Sequence, residues 1–147
     1  KNLLGYTAYL FESVKYWGSL KPYHVRIQYD HEQTLEGDYL YVMVSNSTSV
    51  GRIRNFPPGN PLLDDGLLEV TLISKPKDIF ELEQLSRMLI RADGKIGSPM
   101  LKTFSASHVQ FETNDDVAWT LDGEYGGQHR IAEVEVLPHA FTILHGK

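Results

Sequence analysis

The sequence predicts a mainly β fold, an antiparallel β-sandwich decorated by two helices. Helical patterns are few and strand-like runs are many, with Gly, Pro, Asn and Asp turn signals between them. With 147 residues, 41% of them hydrophobic and 22% charged, the chain also has the size and balance of one globular domain with a proper core. No internal repeat, low-complexity tract or second boundary breaks residues 1–147, so a single domain is expected.

From Asn2 to Trp17 the apolar residues Leu3, Leu4, Ala8, Leu10, Phe11, Val14 and Trp17 recur at helical spacing, and Gly18 is placed to end the element. Its polar face is not notably basic, so this amphipathic helix is expected to cover a core rather than lie on a membrane. Tyr23 to Tyr29 alternates cleanly, Asp30 to Asp38 reads as a polar turn, and Tyr39 to Val44 as the second strand of a hairpin. Ser45 to Gly51 is small and polar, an ordinary loop or a set of hydroxyls and an amide suited to a ligand's polar head. Phe56-Pro57-Pro58-Gly59-Asn60-Pro61 reads as a rigid loop, which leads through Leu62-Leu63-Asp64-Asp65-Gly66 into a strand over Leu67 to Ile73. After Pro76 the period changes. Asp78 and Glu81 form a capping-box signature, and Ile79, Leu82, Leu85 and Leu89 line one face of a second helix that ends by Gly94. Glu81, Glu83, Arg87 and Arg91 read as its solvated flank. Strands return over Lys102 to Glu112, Val117 to Leu121, Arg130 to Val136 and Phe141 to Leu144.

Composition narrows the function classes. No run of about 18 apolar residues could span a membrane, and no leader is visible, so a soluble, cytoplasmic protein is expected. The absence of cysteine removes disulfides, thiolate zinc sites and a cysteine nucleophile. A net charge of −5 without a basic run disfavours nucleic acid as a partner. The chain opens at Lys1 on helix-like sequence, as a piece of something longer would.

What chemistry the residues advertise is acidic and located at turns. Trp119-Thr120-Leu121 stops at Asp122-Gly123-Glu124, where Asp-Gly is a strong hairpin signal and a rim carboxylate could also take a proton from a hydroxyl. Asp64-Asp65-Gly66 is a second acidic corner, again a turn by default, with a carboxylate and turn carbonyls suited to magnesium or calcium. The six histidines make no His-Glu-x-x-His pattern, and zinc is not expected. Neither a Gly-x-Ser-x-Gly elbow nor a Gly-rich phosphate cradle is present.

Taken in order, these features resemble the C-terminal half of the diacylglycerol kinase-like lipid kinases: Val44-Ser45-Asn46-Ser47, Asp65-Gly66-Leu67-Leu68-Glu69-Val70, the helix after Pro76, Leu121-Asp122-Gly123-Glu124, and Val134-Glu135-Val136-Leu137-Pro138. The resemblance covers nearly the whole chain and is nearest to bacterial soluble diacylglycerol and phosphatidylglycerol kinases, with sphingosine and ceramide kinases further away. It implies a two-domain enzyme whose N-terminal α/β half carries a Gly-Gly-Asp-Gly nucleotide motif, absent here, and binds most of the ATP. This chain alone is therefore expected to be catalytically silent. The resemblance further implies Glu124 as general base with Asp122 beside it, and a structural Mg2+ on Asp65 and the carbonyls of Leu62 and Leu67; Ser45, Asn46 and Ser47, by their own hydroxyls and amide, are expected toward the substrate. The expected partners are a lipid substrate, the N-terminal domain, a membrane surface met transiently from the cytoplasm, and a second copy in a homodimer. The alternatives are a non-catalytic lipid- or protein-binding sandwich and an NAD kinase-like domain.

Overall fold

The computed structural model describes residues 19–30, 32–47, 49–50, 53–54, 62–91, 99–138 and 140. The expected helix over 2–17, the proline loop at 56–61 and the closing strand at 141–144 lie outside them. Among the described residues the order is β1 (Tyr23–Tyr29), β2 (Gln33–Ser45), β3 (Ser49–Val50), β4 (Ile53–Arg54), β5 (Leu68–Ser74), α1 (Ile79–Arg91), β6 (Leu101–Ala106), β7 (His108–Leu121) and β8 (Glu124–Glu135). Six strands form one antiparallel sheet in the order β6-β5-β2-β1-β7-β8, and β3 pairs with β4 alone.

This sheet cannot be flat. With strands about 4.8 Å apart, β6 and β7 would lie about 19 Å from one another across four spacings. Yet only Ser107 separates them in the chain. The sheet must therefore curl until its β6 edge returns toward β7, and the rings of Tyr29 on β1 and Phe104 on β6 meet inside the curl with centroids 4.3 Å apart. Asp30 pins the corner: its carboxylate accepts the Ser107 N–H and hydroxyl, each at 3.0 Å, and its own N–H donates to the His108 carbonyl at 3.2 Å. Such corner-turning strands convert one sheet into two packed layers. The expected sandwich is thus built from a single curled sheet.

Inside the curl lie Val25, Ile27, Tyr39, Val70, Leu72, Val109 and Phe111. On the other face of β5, Ile73 packs with Leu85 of α1 and with Met100. Both faces of β5 are covered, which explains an unbroken buried run from Leu68 to Ile73 where a half-exposed strand would alternate.

Two sequence expectations change. Asp30 to Asp38 is not one long turn, because the turn is short and β2 already begins at Gln33, its residues 33–38 pairing with β1. They look polar because alternate side chains face outward: Gln33, Thr34, Glu36 and Asp38 are exposed, and Leu35 packs on the core. A register shift between Tyr39 and Tyr41 then flips the inward set from Leu35 and Tyr39 to Val42 and Val44. Likewise, the strand break falls at Ser107 rather than at 113–116, which β7 passes through as a wide bulge. Glu112 faces Ile131 and Val117 faces His129, so four residues oppose Arg130 alone. Thr113 donates to the Asp115 and Arg130 carbonyls at 2.8 and 3.1 Å, closing the bulge. Beyond it, Trp119 packs on Phe111 at 5.5 Å between centroids. A straight strand would separate residues eight apart by about 26 Å, so the β7–β8 ribbon bends over the core.

The capping box of α1 is present with one displacement. Asp78 accepts the N–H groups of Phe80 and Glu81, each at 2.9 Å, whereas Glu81 reaches back to the N–H of Lys77 rather than of Asp78, at 2.7 Å. Leu82 and Leu85 are buried as expected, but Ile79 is 52% exposed, because the first turn extends past the contact that Leu85 makes with Ile73. Asp78→Ala removes both side-chain caps and is expected to cost about 1 kcal/mol, read as a lower urea midpoint at unchanged m-value.

Candidate functional site

Register alone brings the candidate corners to one end of the sheet. β2 ends at Ser45, and β5, antiparallel to it, starts where Ser45 faces Glu69. β1 is antiparallel to both β2 and β7, so β7 runs out in the same direction as β2 toward Asp122.

At the end of β7, Leu121 faces Glu124 across a two-residue turn in which Asp122 has φ 50° and Gly123 φ 92°. Positive φ at both central positions is the type I′ hairpin, whose twist matches that of the flanking strands, and the Asp-Gly pair is suited to it. Leu121 and Glu124, as direct partners, share a face, and strand alternation puts Trp119 on that face too. Glu124 therefore leaves the ribbon on the side that packs against the core. Both carboxylates are exposed, and among the described residues neither makes a hydrogen bond or ion pair.

Behind the tip is a feature the sequence reading passed over. Ala118 faces Gln128 and Thr120 faces Tyr125, so Gly126 and Gly127 together oppose Trp119. A Cβ on Gly126 would sit 3.0 Å from Leu121 Cγ, and one on Gly127, at φ +96°, would sit 2.6 Å from His129 Nε2. The visible signal was the Gly-Gly pair two residues after Glu124, a bulge signature within a strand pattern.

The second corner also has Asp-Gly geometry. Asp65 accepts the Leu67 N–H two residues on at 2.9 Å, an Asx turn, and Gly66 follows at φ 75°. Leu62, Leu63, Asp64 and Asp65 are exposed. The Asn46 amide donates to the Leu63 carbonyl at 3.4 Å, which joins the Ser45–Ser47 segment to this corner. Ser45 itself closes β2 with its hydroxyl buried, so the expected loop begins at Asn46, and Ser49–Val50 pairs in the β3–β4 ribbon. The set at Asp65 fits a hard cation in donor chemistry: a carboxylate, with the carbonyls of Leu62 and Leu67 close in sequence. Glu69 stands just beyond; burial, and then the charge of Asp65, push its carboxyl pKa up.

Among the described residues, His24 and His108 serve cross-strand pairs, whereas His129 bonds within its own strand. His24 bonds Asp38 at 2.8 Å and Glu36 at 3.0 Å, and these bonds, that to Asp38 foremost, raise its pKa. His108 pairs with Glu133 at 2.6 Å, and His129 meets the Gly126 carbonyl at 3.1 Å. His31, His139 and His145 lie outside the described residues. Among those described, no group of three or more His, Asp or Glu side chains converges as a metal site would.

Comparison with known proteins adds the following. Residues 1–145 match the model of the YegS C-terminal NAD kinase beta sandwich-like domain. A protein named diacylglycerol kinase from Bacillus subtilis (strain 168) is 28% identical over 144 residues, 98% of this chain and 46% of that protein. One of the same name from Staphylococcus carnosus (strain TM300) is 26% identical over 128 residues, 87% of this chain and 40% of that protein. The chain thus spans about half the length of the curated relatives it matches. A crystal structure of a diacylglycerol kinase from Bacillus anthracis str. Sterne superposes with a TM-score of 0.64 over 88% of this chain and 43% of that one, at 22% identity, which shows a shared fold.

Proposed function

The chain belongs to the family of YegS C-terminal NAD kinase beta sandwich-like domains, and on that premise we propose that it is the substrate-side domain of an ATP-dependent lipid kinase. The reaction moves the γ-phosphoryl group of ATP to a lipid hydroxyl of the diacylglycerol type. The observation that carries this is the type I′ turn that holds Glu124 on a rigid ribbon, at the same end of the sheet as the Asp65 corner. The names of the curated relatives support the same substrate class.

In this reading Glu124 accepts the proton of the attacking hydroxyl, and Asp122 adds negative charge beside it. Of the segment Ser45–Ser47, Asn46 and Ser47 face the lipid's polar head, since the Ser45 hydroxyl is buried at the end of β2. The Asp65 carboxylate and the carbonyls of Leu62 and Leu67 would hold a magnesium ion, which would neutralise the charge of that corner. ATP is held mainly by an N-terminal nucleotide-binding half, without which this domain is silent. The enzyme works from the cytoplasm on a membrane it meets transiently.

Phosphorylation assays on the full-length protein, with lipid emulsions and with NAD in parallel, test this proposal. The family description names NAD kinase, so transfer to NAD and not to lipid hydroxyls would replace the reading by that one. Transfer to neither would leave a non-catalytic binding module. A separate expectation concerns the metal: Asp65→Asn should remove the rise in melting temperature that Mg2+ produces, by mass action on the folded state, and change lipid affinity less. Thermal unfolding with Mg2+ and with EDTA reads it.

A further inference from the structure

Three of the four buried side-chain polar atoms that lack a hydrogen bond among the described residues are neighbours: Ser45 Oγ, Glu69 Oε2 and Thr71 Oγ1. Ser45 is the direct partner of Glu69 across the β2–β5 ladder, so both side chains leave the sheet on one side. Thr71, two residues along β5, shares that side by alternation. The strip is deeply placed, Glu69 being 6% exposed and Thr71 0%.

An orphaned carboxylate in such a place is costly, and native structures supply buried polar groups with a protein, water or ion partner. Among the described residues no Lys, Arg or His pairs with Glu69. The unclaimed atoms are all oxygens and the strip is negative, which excludes an anionic ligand and suits a hard cation. The nearest corner with the same preference is Asp65, separated from Glu69 by Gly66, Leu67 and Leu68.

We propose that Glu69 is a second carboxylate of the divalent-cation site at the Asp65 corner, with the Ser45 and Thr71 hydroxyls as the oxygen lining behind it. This rests on the reading of that corner as a magnesium site and adds a residue to it. Asp65 belongs to an exposed turn, whereas Glu69 belongs to a strand paired on both sides. Cation affinity in oxygen sites rises with ligand charge and with rigidity, and Glu69 supplies both. The ion in turn gives the buried carboxylate its missing partner, so binding stabilises the start of β5.

Titration calorimetry of the full-length protein with MgCl2 and with MnCl2, on wild type, Glu69→Gln and Asp65→Asn, tests this alongside thermal unfolding with and without the ion. Glu69→Gln, nearly isosteric, should weaken binding of both ions by about 10- to 100-fold. It should also raise the melting temperature of the metal-free protein, because an amide removes a buried charge. Wild-type affinity in Glu69→Gln with affinity lost in Asp65→Asn overturns the role of Glu69 and leaves the corner intact. A Glu69→Gln protein that melts lower by the same amount with and without the ion, at unchanged affinity, marks Glu69 as structural and also overturns it. If the wild type takes up neither ion, the magnesium reading of Asp65 falls, and this proposal with it.

Discussion

Glu124→Gln is expected to lower phosphotransfer by the full-length protein by about 10²- to 10⁴-fold, the contribution of a positioned general base. It is expected to leave stability within about 0.5 kcal/mol of wild type, as for a surface substitution away from any cap, network or core contact. Both halves follow from the geometry. The Glu124 carboxylate is exposed and among the described residues takes part in no hydrogen bond or ion pair, so the fold loses nothing when it becomes an amide. The turn that aims it is made by Asp122 and Gly123, which the substitution leaves alone. Asp122→Asn is the companion variant, because Asn tolerates the φ of 50° at that position and only the charge is removed. Initial rates with a lipid emulsion, beside a melting curve of each variant, give the answer. Near-normal turnover by Glu124→Gln sinks the assignment.

The largest effect on stability is expected at Phe111. Its side chain is 1% exposed and heads the fully buried side chains by volume, and it supports the Trp119 ring at the bend of the β7–β8 ribbon. Phe111→Ala is expected to cost about 3–5 kcal/mol through lost burial and the cavity left behind. Against a domain stability of about 5–15 kcal/mol, that is a large part of the total. Chemical unfolding followed by tryptophan fluorescence measures it, and Trp119 adds a local signal, since its ring would lose the neighbour that keeps it covered. A loss below about 1 kcal/mol would mean that the core collapses around the gap or that the bend is held elsewhere.

What the sequence made legible was local. The Asp122-Gly123 hairpin, the Asp78 cap and the apolar run of β5 follow from residues within one turn or one strand, and they appear where pattern places them. The errors share a different cause. Residues 33–38 read as a turn because a strand with one solvated face looks polar when its partners are unknown. Pattern alone puts the break between strands at 113–116, although the real corner is at Ser107, where the carboxylate that stabilises it comes from Asp30, far away in the chain. The Ser45 hydroxyl reads as part of a polar loop, whereas Ser45 pairs with Glu69 of β5 and its hydroxyl is buried. Glu69 reads as one polar residue within an apolar strand, and nothing in its own neighbourhood tells that its carboxylate lacks a partner. The order of the acidic corners was legible, whereas the closeness of the Ser45–Ser47 segment to the Asp65 corner comes from strand order and from the Asn46–Leu63 bond.

The placement of β1 between β2 and β7 has a consequence during synthesis. One neighbour follows within a few residues, but the other comes much later, Val25 meeting Thr113. At about 5–20 residues per second, a ribosome needs roughly 4–18 s to make the intervening chain. During that interval the free edge of β1 offers unpaired backbone groups to any other extended segment, the arrangement from which aggregation starts. The nascent protein is therefore most exposed to wrong partners before β7 has emerged to pair with β1.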